Sequence, residues 1–327
     1  MTHTTHTADE LRATLTGGLI PAAPVMFDSD NRFHERAHKS YVEYMRTQPI
    51  TGVAVWAHTG RGLHLSTEVA QRVIEDWRGA LAEKLLIAGV GADKQHTDPL
   101  EATNATIEMA QRAAQYGADA ILVYPPTWLR QHEARDKLIV QHHSRLVDVG
   151  LPIILFYLYE AAGGIPYTWG VLDQLLSLPN VVGIKMATLD SVMTYQDVAS
   201  HIQKHHPNKL LITGEDRFLA YSLRRGARAA LIGLGAVCCE LQAELITSHL
   251  QGNAERFLEL SDAIDKLAEV LFVEPMEGYI ARILCALFKL GIIPGEASYD
   301  PWGPTISSDE SDRIETVLNT VTLSYAT

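Results

Sequence analysis

The chain has 327 residues, with 27 Lys and Arg against 39 Asp and Glu, a formal net charge of −12. That acidic balance contains no basic run able to neutralise phosphates, so neither nucleic acid nor an anionic membrane is an expected partner. The three cysteines, adjacent Cys238 and Cys239 and distant Cys285, form neither a CxxC zinc pattern nor an even disulfide framework, which suits a reducing cytoplasm.

The opening MTHTTHTADE lacks the cationic and apolar regions of a signal peptide, and no apolar run elsewhere reaches membrane-spanning length. The expectation is a soluble, cytoplasmic protein whose residues 1–12 form a disordered tail, with His3 and His6 solvated rather than ligating a metal. Eight Val/Ile/Leu/Ala-rich runs follow: GLIPAAPVMF, TGVAVWAHTG, KLLIAGVGA, ADAILVYPP, LPIILFYLY, NVVGIKMAT, KLLITGED and ARAALIGLGAV. They are nearly continuous rather than alternating, so both faces must be covered, as in a parallel sheet.

Between the runs lie amphipathic helix patterns such as LSTEVAQRVIEDWRGALAEK, where Ser66 or Thr67 can cap the orphan amides. The strand-to-strand period of roughly 30 residues is that of a βα unit. Eight units predict an α/β fold, a (β/α)8 TIM barrel over residues 13–240, with a C-terminal helical bundle over 241–327. A doubly wound sheet would carry a Gly-rich loop after its first strand, where this chain has proline and phenylalanine. The helix NAERFLELSDAIDKLAEVLF reads as a solvated acidic face over an apolar stripe.

Lys185 stands inside the sixth run, NVVGIKMAT. Active sites of barrels gather at the C-terminal strand ends, and alternation puts Gly183, Lys185 and Ala187 on one face, leaving the lysine room to lie across the interior. Burial there lowers its pKa. At the ordinary value of about 10.4 only ~0.04% of the amine is neutral at pH 7, against about half at a pKa near 7. A neutral amine adds to a ketone, loses water and becomes an imine that draws electrons from the neighbouring carbon. The bland alternative is a structural lysine that is ion-paired at the barrel mouth or snorkels out.

At this point GIK at 183–185, LIAGVGA at 86–92, GADAILVYPP at 117–126, LPIIL at 151–155, TGED at 213–216 and LFVEP at 271–275 become informative as an ordered set. In that set the chain resembles the dihydrodipicolinate synthase / N-acetylneuraminate lyase family of lysine-dependent aldolases. The resemblance implies a Schiff-base lysine at Lys185, pyruvate or a related 2-keto acid as carbonyl partner, no cofactor and no metal, and a homo-oligomer, commonly a tetramer.

The departures from that family are specific. Its hydroxyl-rich loop after strand two reads AHTGR here, with His58 at the first hydroxyl position and Arg61 at the acid, so that Thr59 and Gly60 survive to hold a substrate carboxylate. The tyrosine late in strand five is Phe156, which carries no proton. The tyrosine pair after strand four is replaced by Thr127 and Trp128, and the arginine expected after strand five is absent from EAAGG, which argues against dihydrodipicolinate synthesis.

Tyr157 should face the helix layer, and Tyr159 the same way, so neither is expected to replace the phenol. His58, able to take and give a proton near neutrality, is the candidate proton carrier, a satisfied buried histidine being its alternative. Arg61 reinforces the cradle or lies on the surface, the latter preferred. Phe156, Trp128, Gly214 and Leu231 join Thr59 and Gly60 as candidate substrate contacts. The histidines at 142–143 and 205–206 read as surface residues without a metal-ligand constellation. Two competing functions are a keto-acid-binding barrel that has lost turnover, and a barrel for phosphorylated substrates using the backbone amides of IGLGAV.

Overall fold

The structure, a computed structural model, describes residues 6–325 apart from residues 94, 97 and 190, so His3 lies outside the described residues. The strands are β1 (Leu19–Pro21), β2 (Gly52–Val55), β3 (Leu85–Val90), β4 (Ala120–Val123), β5 (Ile153–Leu158), β6 (Val181–Ala187), β7 (Leu210–Thr213) and β8 (Ala229–Ile232). The helices are α1 (Ala8–Leu15), α2 (Glu35–Arg46), α3 (Thr67–Leu81), α4 (Pro99–Gln115), α5 (Arg135–Leu146), α6 (Trp169–Ser177), α7 (Val192–His205), α8 (Leu219–Arg224), α9 (Cys239–Gln251), α10 (Ala254–Leu271), α11 (Tyr279–Lys289) and α12 (Ser308–Tyr325).

Strand pairing is parallel and follows chain order, with β1 returning to β8, Leu19 opposite Ala230. The last seam, between β1 and β2, is joined by the Ala22–Ala54 bridge and by Ala23 N–H donating to Ala54 C=O at 3.0 Å. This is the expected (β/α)8 barrel with helices beyond it. Of the first apolar run only three residues are strand, because Pro21 and Pro24 have no N–H to give to a ladder.

Alternation sorts the side chains. Ile20, Ile87, Leu122, Ile154 and Ile212 fill the interior, while Val53, Leu86, Ile121, Leu155 and Ile184 face the helices. The expected disordered tail is corrected from Ala8 onward. Thr7 and Glu10 form a reciprocal capping box that starts α1, and Leu11 and Leu15, one turn apart and fully buried, join the interior cluster with Ile20 and Val182. Covering otherwise open apolar surface at the barrel interior is what orders this segment. In the C-terminal region α9 packs on β1, α10 on α9 and α12, and α11 on α12. No helix among the described residues is long and apolar enough to cross a membrane.

Candidate active site

Lys185 lies near the C-terminal end of β6, with only 6% of its surface exposed and its Nζ 4.3 Å from the centre of the Phe156 ring. Room for it comes from a different glycine than the sequence suggests. A Cβ on Gly183 would meet the Leu210 backbone, 2.0 Å from its oxygen, so that glycine serves the close approach of β7. A Cβ on Gly214 would stand 2.5 Å from Lys185 Cε, so Gly214, just past β7, leaves the space that the lysine stem fills.

No carboxylate among the described residues lies within 4.0 Å of Lys185 Nζ, so the amine is not capped by an ion pair. Burial pulls its pKa down to about 8, against the opposing pull of the Asp216 and Glu215 charges. Both acids sit beyond β7 on TGED. Burial pushes the Asp216 carboxyl up, although Leu234 N–H donates to its Oδ1 at 2.7 Å and the nearby lysine also favours the anion. Burial likewise raises Glu215, to about 8, against three donors: Thr188 N–H at 2.7 Å, Thr188 O–H at 2.9 Å and Leu189 N–H at 3.0 Å. The two acids thereby fix the chain around the ends of β6 and β8.

Above this layer opens a cavity of about 1020 Å³, walled by His58, Arg61, Tyr124, Trp128, Tyr159 and Tyr279 among others. Of the sequence candidates, His58 and Trp128 line it. Lys185, Thr59, Gly60, Phe156, Gly214 and Leu231 do not; Phe156 touches the cavity wall through the Tyr124 ring, 5.8 Å away, and Leu231 is wholly buried in the interior cluster. Leu231 is therefore core packing rather than a wall of the cavity.

The residue that sequence reading missed is Tyr279. It is the first residue of α11, fixed against Phe272 at 4.9 Å, and its phenol oxygen lies 2.9 Å from His58 Nδ1 and 3.1 Å from Thr59 Oγ1. The hydrogen bonds run Thr59 O–H to phenol to imidazole, or the reverse with His58 Nδ1–H donating, and that reversibility suits proton carriage. Burial raises the phenol pKa well above its ordinary value, so Tyr279 stays protonated and passes protons rather than holding a charge.

Several expectations are corrected. Gly60 N–H donates to Ala57 C=O at 2.9 Å and is not open to a carboxylate, whereas the Thr59 N–H has no acceptor among the described residues. The glycine is needed because a Cβ there would stand 2.7 Å from Ala23 oxygen. Arg61 is neither surface nor a bare cradle: it lines the cavity with its guanidinium forked onto Asp300, Nε at 3.1 Å and Nη2 at 2.5 Å. Tyr157 does face the helices, against Tyr167 at 5.7 Å, but Tyr159 lies past the end of β5, where alternation lapses, and lines the cavity.

His142 and His143 are buried, not on the surface, with Nδ1 atoms bonded to Thr103 Oγ1 at 3.0 Å and Ile139 oxygen at 2.8 Å. His206 is also drawn in, to Asp173 at 2.7 Å, giving a carboxylate partner that was not expected; His205 is exposed as expected. The Gly-x-Gly turn after β8 gives its Leu234 amide to Asp216, an arrangement hostile to phosphate.

Comparison with known proteins agrees with this architecture. Residues 15–321 match the profile of the dihydrodipicolinate synthetase family. A 4-hydroxy-tetrahydrodipicolinate synthase of Bartonella tribocorum is 28% identical over 294 residues, covering 89% of this chain and 93% of that protein. Among solved structures, a catalytic lysine mutant of the Ruminococcus gnavus sialic acid aldolase superposes with a TM-score of 0.80 at 18% identity, covering 96% of this chain and 98% of that one. The dihydrodipicolinate synthase of Agrobacterium tumefaciens gives 0.80 at 19% identity, covering 95% and 99%. With the profile spanning nearly the whole chain, this protein belongs to the dihydrodipicolinate synthetase family.

Proposed function

We propose that the chain is a lyase that forms a Schiff base between Lys185 and pyruvate or a related 2-keto acid. The observation that carries this reading is the amine itself: buried at the end of β6, lowered in pKa, over an aromatic ring and unpaired with any described carboxylate. Its nitrogen adds to the keto carbon, water leaves, and the resulting iminium accepts the electron pair of a bond at the adjacent carbon. Aldol cleavage, condensation and dehydration all pass through that species.

Protons must reach the departing hydroxyl and leave or return to the substrate carbon. His58 and Tyr279, joined at 2.9 Å and both in the cavity wall, are the proposed carriers, with Thr59 as the inner end of the relay and its N–H as a donor to the substrate carboxylate. Phe156 contributes a dry contact to the amine instead of a proton. Without the arginine in EAAGG, we infer a carbonyl partner other than that of the dihydrodipicolinate synthases.

Borohydride reduction in the presence of a keto-acid panel should add the mass of the reduced adduct to Lys185, and Lys185→Ala should abolish it. No adduct from any member of the panel would overturn the reading.

A further inference from the structure

A second constellation lies outside the cavity, between α6 and α7, the helices that precede and follow β6. The Nε2 atoms of His201 and His206 each stand 2.7 Å from the same oxygen, Oδ1 of Asp173. All three ligand atoms lie within 4.8 Å of one another, and among the described residues this is the one group of three such side chains so arranged.

The rings are held before any ligand arrives. His201 is stacked on Trp169, at 4.6 Å and 21°, and also contacts the tilted His205 ring, at 4.6 Å and 37°. His206 is the C-cap of α7, its N–H donating to Ile202 C=O at 2.8 Å. Both imidazoles are 14% exposed, while Asp173 is 46% exposed and can adjust.

We propose that Asp173, His201 and His206 bind one divalent transition-metal cation, Zn2+ being the ion whose ligand preference they match. Two imidazole nitrogens and one carboxylate oxygen are a borderline N/O set that suits Zn2+ and is too poor in oxygen for Ca2+ or Mg2+. Ligands about 2.0–2.1 Å from a tetrahedral zinc ion lie roughly 3.3 Å from each other, so each 2.7 Å pair opens by about 0.6 Å to admit it, a movement the half-exposed Asp173 side chain can make. Without the ion the Nε2–H groups donate to the shared oxygen; to ligate, each neutral ring shifts that proton to Nδ1, which frees the Nε2 lone pair for the ion, and a ring that is doubly protonated releases one proton to water. Bound there it clips α6 to α7 across the strand that bears Lys185, with its remaining coordination positions open to water.

The test uses the full chain, stripped with a chelator and titrated with ZnCl2 by calorimetry. Wild type should bind a Zn2+ ion at this site and unfold a few degrees higher with zinc in excess. His201→Gln combined with His206→Gln should lose both effects while its Lys185 still traps a keto acid, showing an intact fold. Asp173→Asn, at a more exposed position, should weaken binding and carries the test alone should the double variant fail to fold. Absence of zinc binding by wild type, or undiminished binding by the variants, as His3 and His6 elsewhere would give, overturns the proposal.

Discussion

Replacing Asp216 by asparagine should make Lys185 a better nucleophile at neutral pH. The side-chain oxygen can still accept the Leu234 N–H, so the chain around β8 keeps its anchor. What is lost is the negative charge that favours the ammonium form of Lys185. In an effective dielectric of about 20, a unit charge about 5 Å from an ammonium group is worth about 3 kcal/mol, or about two pKa units. Because burial leaves Asp216 partly protonated near neutrality, about half of that shift should be expressed. With Lys185 starting at about 8, ~9% of the amine is neutral at pH 7; after a fall of about one unit the neutral share is about half. Trapping by pyruvate and cyanoborohydride, followed by intact mass from pH 5.5 to 9, should therefore run about five times faster at pH 7, with its rising limb moved to lower pH. A limb that stays in place or moves to higher pH would refute the claim that Asp216 holds the lysine in its charged form.

Tyr279→Phe should keep Lys185 trapping within about twofold but slow exchange of the pyruvate methyl protons into D2O, followed by NMR, by roughly a hundredfold, the scale of a lost acid–base group. Equal exchange would remove the phenol from proton transfer. Gly214→Ala places a methyl on the lysine stem, and should cost about 1–3 kcal/mol in denaturant unfolding together with most of the trapping. His143 is buried and its pKa is lowered to about 4, so the fold resists protonating it while the unfolded chain does not. Its contribution to stability is intact above about pH 6.5 and is lost as pH falls toward 4, by up to about 3 kcal/mol. His143→Leu should flatten the acid side of the stability profile by that amount, measured by urea melts at a series of pH values.

The eight strands and Lys185 were legible because each writes itself into contiguous residues: an apolar run for a strand covered on both faces, and a charge where none belongs. The parts that were hidden depend on distant chain. Tyr279 reaches His58 across 221 positions, and nothing within YIARI distinguishes a phenol at a cavity wall from one in a helix core. Asp173 meets His206 from a neighbouring helix, so the histidine spacing alone showed no carboxylate. The α1 segment, by contrast, carried a readable signal in TADE, the capping box, and in Leu11 and Leu15 one turn apart; its polar surroundings masked it.

In the proposed reaction, Phe156 beside the amine and Tyr279 in the cavity wall divide two tasks, drying the nucleophile and carrying protons. A phenol late in β5 would put a polar group beside the amine, whereas the Phe156 ring 4.3 Å from Nζ helps exclude water from it. Burial lowers the lysine pKa against the opposing Asp216 and Glu215 charges; the ring face separately attracts an ammonium by about 1 kcal/mol. Under the same proposal proton carriage belongs to the cavity wall, where Tyr279 sits on α11 and α11 packs on α12. If Tyr279 carries the proton, the helices beyond the barrel share in the chemistry: a change that loosens α11 against α12 should depress proton exchange before it affects imine formation. A barrel that carried its phenol on β5 would show no such order of loss.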